Sequence, residues 1–231
     1  VLRAASPLVP SVSYRAERAG LRVLQGVKLE CVRGPRRLFS DFSFDLHPGE
    51  LLWVTGPNGA GKTSLLRIVC TLLPPEQGEV RWRGTPVREL GEAYRAEQVY
   101  VGHLPAVKDD LTACENLHFA LAQEGIAAGE AQLMDALDAF GLAGREDVAA
   151  RALSQGQRRR VALARLWFAA PQPLWILDEP LTALDVHAVE LMRTLIAAHL
   201  ERGGLVLLTS HQDIGLAGRR VQRVHLGEAL Q

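Results

Sequence analysis

Residues 56–63, Gly56-Pro57-Asn58-Gly59-Ala60-Gly61-Lys62-Thr63, place a lysine and a hydroxyl among three glycines in the spacing G-x-x-x-x-G-K-S/T, with Ser64 next in line. That spacing suits a di- or triphosphate. Glycines let the main chain turn its N–H groups inward around phosphate oxygens, and a helix beginning behind them adds the positive end of its dipole. Lys62 can then reach the β and γ phosphates, and the Thr63 hydroxyl is placed to ligate Mg²⁺. Two other groups carry chemical potential. Asp178 and Glu179 follow the apolar run 174–177, either as a functional pair of carboxylates at a strand end or as ordinary surface acids. Ser154 and Gly156 offer a hydroxyl and a bare backbone N–H at a helix start, which is an anion site. Ser154 and Gln157 equally satisfy a helix capping box.

The flanks supply the elements such a loop needs. Glu50-Leu51-Leu52-Trp53-Val54-Thr55 reads as a buried strand running into it, and Leu65-Leu66-Arg67-Ile68-Val69 as a helix leaving it. An ordinary glycine turn would not require that context. Upstream, 27–32 and 38–46 read as strands, the second alternating through Phe42, Phe44 and Leu46, and Pro48-Gly49 turns the chain into the loop strand. A short strand at 78–83, with Trp82 inside it, joins them in a small antiparallel sheet. Thr112 and Glu115 form a capping box ahead of a helix with Leu117 and Leu121 on one face. Leu133, Leu137 and Phe140 repeat at helical spacing and stop at Gly141, a C-cap. Residues of about 105–155 are therefore expected to form a helical insert in an α/β chain. The final third alternates again, with a buried strand at 174–177, a helix at 186–200 and a buried strand at 205–209.

A chain of 231 residues suffices for one domain with a full core, and a single nucleotide-binding unit over 26–231 is expected. Residues 1–25, basic and without sustained periodicity, read as a poorly ordered extension, a misplaced start site being the other way to read them. They lack the continuous apolar core and small-residue cleavage site of a targeting peptide. A formal net charge of +0 gives no global field to attract nucleic acid or an acidic membrane surface. The run Arg158-Arg159-Arg160 reads as one solvated turn of helix rather than a nucleic-acid patch. Three widely spaced cysteines, Cys31, Cys70 and Cys114, fit a reducing compartment and offer no metal framework. No apolar stretch approaches the roughly 18 to 20 residues of a membrane span.

A phosphate loop is shared by kinases, GTPases, motors and transport ATPases; the second half of the chain narrows the choice. Leu153-Ser154-Gln155-Gly156-Gln157, upstream of Asp178 and Glu179, resembles the L-S-G-G-Q signature of ATP-binding cassette (ABC) ATPases, with Gln155 in place of the first glycine. The resemblance covers about residues 27–225. It implies an α/β fold with a P-loop NTPase (RecA-like) core, an antiparallel β subdomain and a helical subdomain, and it implies ATP hydrolysis with ATP and Mg²⁺. In that family the turn carrying Ser154, Gly156 and Gln157 faces the γ-phosphate held by a second copy, so that two cassettes sandwich two ATP molecules. A lone chain would then lack a complete site. Asp178 matches the aspartate that holds Mg²⁺ through water, and Glu179 the residue that accepts a proton from, or orients, the attacking water. Leu181-Thr182-Ala183-Leu184-Asp185 resembles the D-loop, whose aspartate communicates across the dimer seam. His211 stands where the family has its switch histidine at the γ-phosphate. Two positions depart. The Q-loop glutamine falls on His103, a poorer partner for a hard cation than an amide oxygen. The aromatic residue that usually stacks on adenine aligns with Arg33, whose guanidinium plane can stack on a base, with Phe39 as a nearby alternative.

Within the family, Arg37-Leu38-Phe39-Ser40, Gly102-His103 ahead of 111–119, the segment 159–167, and 174–180 followed by Thr209-Ser210-His211-Gln212 look most like the ATP-binding subunits of the haem exporters of cytochrome c biogenesis. His103 belongs to that group's pattern, although the group usually continues with Gln where this chain has Leu104. The likeness implies a peripheral protein on the cytoplasmic face of a bacterial inner membrane, docked on integral membrane permease subunits through a groove near residues 103–118. Its ATP cycle would drive release or movement of haem, with no nucleic-acid partner. A translation or repair cassette would carry a second cassette or a coiled-coil insert, a small-molecule kinase would lack 153–157, and a binding-only module would lose Glu179 or His211. The cassette of another small-substrate exporter is the remaining competitor. The other histidines are scattered and read as structural.

Overall fold

The computed structural model describes residues 23–216 and 218–227, so the expected extension lies almost wholly outside the described residues. The described chain begins in an antiparallel hairpin of β1 (Leu24–Arg33) and β2 (Arg36–Leu46), with Leu24 opposite Leu46. Leu24 is fully buried, so the folded unit starts before the boundary expected at residue 26. β3 (Glu50–Thr55) then feeds the glycine loop and α1 (Lys62–Val69). β4 (Gln77–Trp82) returns beside β1, placing Trp82 opposite Leu24, and β5 (Thr85–Pro86) closes a four-stranded sheet of order β2-β1-β4-β5. Two short helices, α2 (Val87–Leu90) and α3 (Glu92–Ala96), lead to β6 (Gln98–Val101).

The helical segment follows as α4 (Ala113–Gln123), α5 (Glu130–Ala139) and α6 (Gln155–Ala164). The ends of these helices are set by local chemistry. Thr112 Oγ1 accepts from the Glu115 N–H while the Glu115 carboxylate accepts from the Thr112 N–H, closing both ends of the capping box. At the end of α5, Gly141 adopts φ +67°, and the Gly141 and Leu142 N–H groups return to Asp138 O and Leu137 O in a Schellman motif. β7 (Leu174–Asp178), α7 (Val186–Glu201), β8 (Leu205–Thr209) and β9 (Arg220–His225) complete the chain. The larger sheet is parallel throughout, in the order β6-β7-β8-β3-β9.

Both faces of its central strands are apolar, and alternate side chains feed two cores. Leu174, Ile176, Leu205 and Leu207 join Leu52, Val54 and α1 in the core shared with the antiparallel sheet. Trp175, Leu177, Val206 and Leu208 join Leu51 and the apolar stripes of α4 to α7 in the other. The helical segment is thus welded to the sheet by one continuous core. The expected antiparallel sheet, helical insert and buried strands are all present. β6 and β9 go beyond the expectation. β6 is only four residues long, and β9, Arg220-Val221-Gln222-Arg223-Val224-His225, is an edge strand too polar to signal burial.

His199 on α7 is fully buried, its ring stacked on Trp175 at 4.1 Å with Nε2 3.2 Å from Pro173 O. Burial, reinforced by the charge of Arg202, pushes its pKa down to about 3. The unfolded chain takes up this proton near pH 6.5, whereas the folded chain refuses it until about pH 3. Stability must therefore fall as pH drops across that window, by about 2 kcal/mol between pH 7 and pH 5 from this group. His199→Phe keeps the stacked ring and removes the proton. Unfolding free energies from urea titrations at the two pH values are expected to lie closer together in this variant than in the wild type by that amount; an equal difference in both would show that His199 is not the source.

Candidate active site

The glycine loop takes its shape from its neighbours. Gly56 adopts φ +142°, and a Cβ there would lie 2.2 Å from Leu226 O, the residue whose N–H bonds Thr55 O. Gly61 is left-handed at φ +101°, with a side chain excluded by Leu38 and Phe39 at 3.0 to 3.2 Å. Lys62, nearly buried, curls inward: its Nζ donates to Gly56 O at 2.8 Å and Pro57 O at 3.2 Å, so its charge sits at the focus of the loop.

Asp178, at the end of β7, is 1 % exposed and held from two sides. Thr63 Oγ1 donates to its Oδ2 at 2.8 Å, and Thr209 Oγ1, at the end of β8, donates to its Oδ1 at 2.7 Å. The same Thr209 hydroxyl accepts the Glu179 N–H at 2.9 Å. Glu179 has φ +51°, a conformation that residues with a side chain rarely adopt and that clusters at functional positions. Its Oε2 accepts from the His211 N–H at 3.3 Å, while Oε1 takes no hydrogen bond and lies 3.5 Å from His211 Nε2. A cavity of about 470 Å³ gathers these groups, its walls formed by Asn58, Gly59, Gly61, Lys62, Thr63, Ser64, His103, Asp178, Glu179 and His211, with Leu38 and Thr182. The arrangement sets a cation held by the glycine loop on one side, and a carboxylate with one oxygen free of hydrogen bonds beside an imidazole on the other.

Ser154, Gly156, Gln157, Asp185 and Arg33 are absent from that cavity. Ser154 and Gln157 exchange both bonds of a capping box at the start of α6, and a Cβ on Gly156 would meet Ala183 O at 2.8 Å, which packs this turn against the 181–185 loop. Asp185 caps α7 through the Ala188 N–H at 2.9 Å and lies 3.2 Å from Arg160 Nη1. Arg33 is exposed at the hairpin end; Arg36, its cross-strand partner, is the cation nearest the loop tip, 3.7 Å from where a Gly59 Cβ would stand. Phe39 cannot offer a face to a base. It is 9 % exposed and packs edge-on against Phe42 beneath Gly61.

The basic run is not a solvated turn. Arg159 is 4 % exposed and bonds main-chain carbonyls through both Nη atoms, Arg158 pairs with Asp109, and Arg160 bonds Phe140 O, Gly141 O and Asp185. Thr209 joins the site as a residue whose role at Asp178 has no sequence signal beyond its place at the end of a buried strand, next to Ser210 and His211.

A second cavity, about 620 Å³, lies between α1, the end of β6, α4 and α6, and shares Thr63 and His103 with the first. It is lined by Tyr100, Val107 and Ala120 and carries Arg67 and Arg165 but no carboxylate. Leu104 and Leu72, 79 % and 65 % exposed, stand at its mouth.

Residues 39–182 match the family model described as ABC transporter. The "Cytochrome c biogenesis ATP-binding export protein CcmA" of Nitrosospira multiformis is 54 % identical over 88 % of this chain and 98 % of its own length. The protein of the same name from Escherichia coli is 46 % identical over 88 % and 96 %. Among solved structures, an ATP-binding cassette captured as a dimer in a post-hydrolysis state with ADP and Pi superposes with a TM-score of 0.71 at 25 % identity, covering 88 % of this chain and 94 % of that one. With the family model spanning more than half of its residues and such relatives aligned over nearly their whole length, the chain belongs to the ABC transporter family, as a member of its CcmA group.

Proposed function

We propose that the chain is the ATP-hydrolysing subunit of an ABC transporter that couples ATP binding and hydrolysis to the export or release of haem for cytochrome c biogenesis. The observation that carries the chemistry is the convergence of Lys62, Thr63, Asp178, Glu179 and His211 on one cavity. The biogenesis role is supported by the name its relatives bear.

ATP places its phosphates within the 56–64 loop, where Lys62 exchanges its bonds to Gly56 and Pro57 for phosphate oxygens. Thr63 and Asp178 are hard oxygen donors in contact, the kind of pair that holds Mg²⁺ together with substrate phosphates, and His103 stands nearby. Mg²⁺ bound by these residues would supply neutralisation of the charge on the substrate's phosphates. Glu179 takes a proton from the attacking water through its free Oε1, and His211, beside it, contacts the γ-phosphate. Arg33 remains the group for the base. Ser154, Gly156 and Gln157 serve the ATP of a second copy, with Asp185 at the seam between them.

The groove with Leu72 and Leu104 at its mouth is the face for an integral membrane permease subunit. No helix of the described residues is long and apolar enough to cross a membrane, which fits a peripheral subunit on the cytoplasmic side of a bacterial inner membrane. Affinity capture of the tagged chain from detergent-solubilised membranes tests this. The expected product contains a multi-span membrane protein and a haem absorption band; a complex with a different permease and no haem-handling protein would assign the ATPase to another cargo.

A further inference from the structure

Arg159 stands apart from the other buried charges near the site because its two Nη atoms bond main-chain oxygens at the ends of two different strands. Its Nη1 donates to Gly102 O at 2.7 Å and His103 O at 3.2 Å, and its Nη2 to Asp178 O and Glu179 O, both at 2.9 Å. These carbonyls lie at or just beyond the C-terminal ends of two neighbouring strands, β6 and β7, where the pairing of β6 with β7 has run out and buried carbonyls need other donors. One planar fork meets both strand ends from α6, a geometry that a lysine ammonium on a flexible stem does not reproduce. The burial lowers the pKa of the guanidinium, and the nearby charges of Asp178 and Glu179 oppose that shift.

What the fork joins has a mechanical meaning. At Glu179 the left-handed backbone is held at its N–H by Thr209 and at its C=O by Arg159. On the other side, the His103 loop forms part of the wall of both the nucleotide cavity and the groove behind it. We infer that Arg159 is a positioning residue for hydrolysis: it fastens the Gly102 and His103 loop to the backbone of Asp178 and Glu179, so that a segment pressing on the groove shifts the carboxylate that handles water. The inference goes beyond the proposed function and rests on Glu179 acting there as the base.

Arg159→Lys and Arg159→Met test it in the purified full chain. A misplaced catalytic group costs turnover far more than binding, so kcat is expected to fall about 10- to 100-fold in both. The KM for ATP and the Kd of a fluorescent ATP analogue should stay within about 3-fold, because the phosphate loop is untouched. Hydrogen exchange should quicken together in peptides spanning 99–106 and 176–183, and stay unchanged in α7. An unaltered kcat overturns the inference, as does a parallel loss of kcat, ATP affinity and melting temperature, which marks a merely structural residue. The lysine variant keeps a buried donor and so answers the question even where the methionine variant does not fold. The Glu179→Gln chain separates the two claims. Normal turnover in that chain removes the base assignment and leaves the exchange result to decide the fastening; a stall there with wild-type kcat in Arg159→Lys removes only the role of Arg159.

Discussion

Glu179→Gln is expected to bind ATP as the wild type does and to hydrolyse it about 10² to 10⁴ times more slowly, the rate that a positioned general base contributes, or about 3 to 5 kcal/mol of barrier. The substitution is close to isosteric. A glutamine oxygen can still accept the His211 N–H that Oε2 accepts at 3.3 Å, and the Glu179 backbone keeps its bonds to Thr209 and Arg159. What changes is Oε1, the atom with no hydrogen bond in the folded chain, which loses its capacity to take a proton. Lys62 and Thr63 are not touched, so nucleotide occupancy should be unchanged and ATP should be recovered unhydrolysed. Steady-state release of phosphate against equilibrium nucleotide binding checks both halves. Turnover at the wild-type rate would take Glu179 out of the role, and loss of binding would mean that its carboxylate holds the cavity together.

The parts of this site legible in the sequence are those in which neighbouring residues act together. The 56–63 loop is one such part, because its glycines, lysine and hydroxyl belong to one turn, and the buried strand and helix on either side are announced by their own apolar patterns. Asp178 and Glu179 were legible for the same reason, at the end of a run of buried residues. Arg159 shows the limit. In sequence it is the middle of three arginines, indistinguishable from its neighbours; in space it alone is aimed at two strand ends that lie 56 and 57, and 19 and 20, residues away. Thr209 is similar, since its hydroxyl matters only because β8 lies beside β7 and sets Thr209 opposite Asp178. Both depend on strand order, which local pattern does not encode. Phe39 failed in the opposite direction. An aromatic residue near the loop suggested a platform for a base, but its place on the inner face of β2 gives it to the core.

The geometry of α6 leads to the second large effect. Ser154 and Gly156 begin that helix outside the cavity that holds Lys62, and under the proposed function they serve the ATP of a second copy. A mixed dimer carrying Lys62→Ala on one chain and Ser154→Arg on the other is expected to retain one working site. Both defects then fall on the same ATP, and the other ATP is flanked by an intact loop and an intact turn. Placing both substitutions on one chain, beside a wild-type partner, spoils each site once and is expected to abolish turnover. If each chain were sufficient for itself the pattern would invert, because the doubly substituted dimer would keep its wild-type half and the separated arrangement would have none. Co-expression with two affinity tags gives the defined dimers, and nucleotide occupancy with turnover per dimer reads the result. Arginine at 154 is the sharper probe than alanine. It puts a long side chain on the very turn that must face phosphate, whereas alanine removes a cap worth only about 1 kcal/mol to the helix. Equal activity in the two arrangements would leave no place for a shared site.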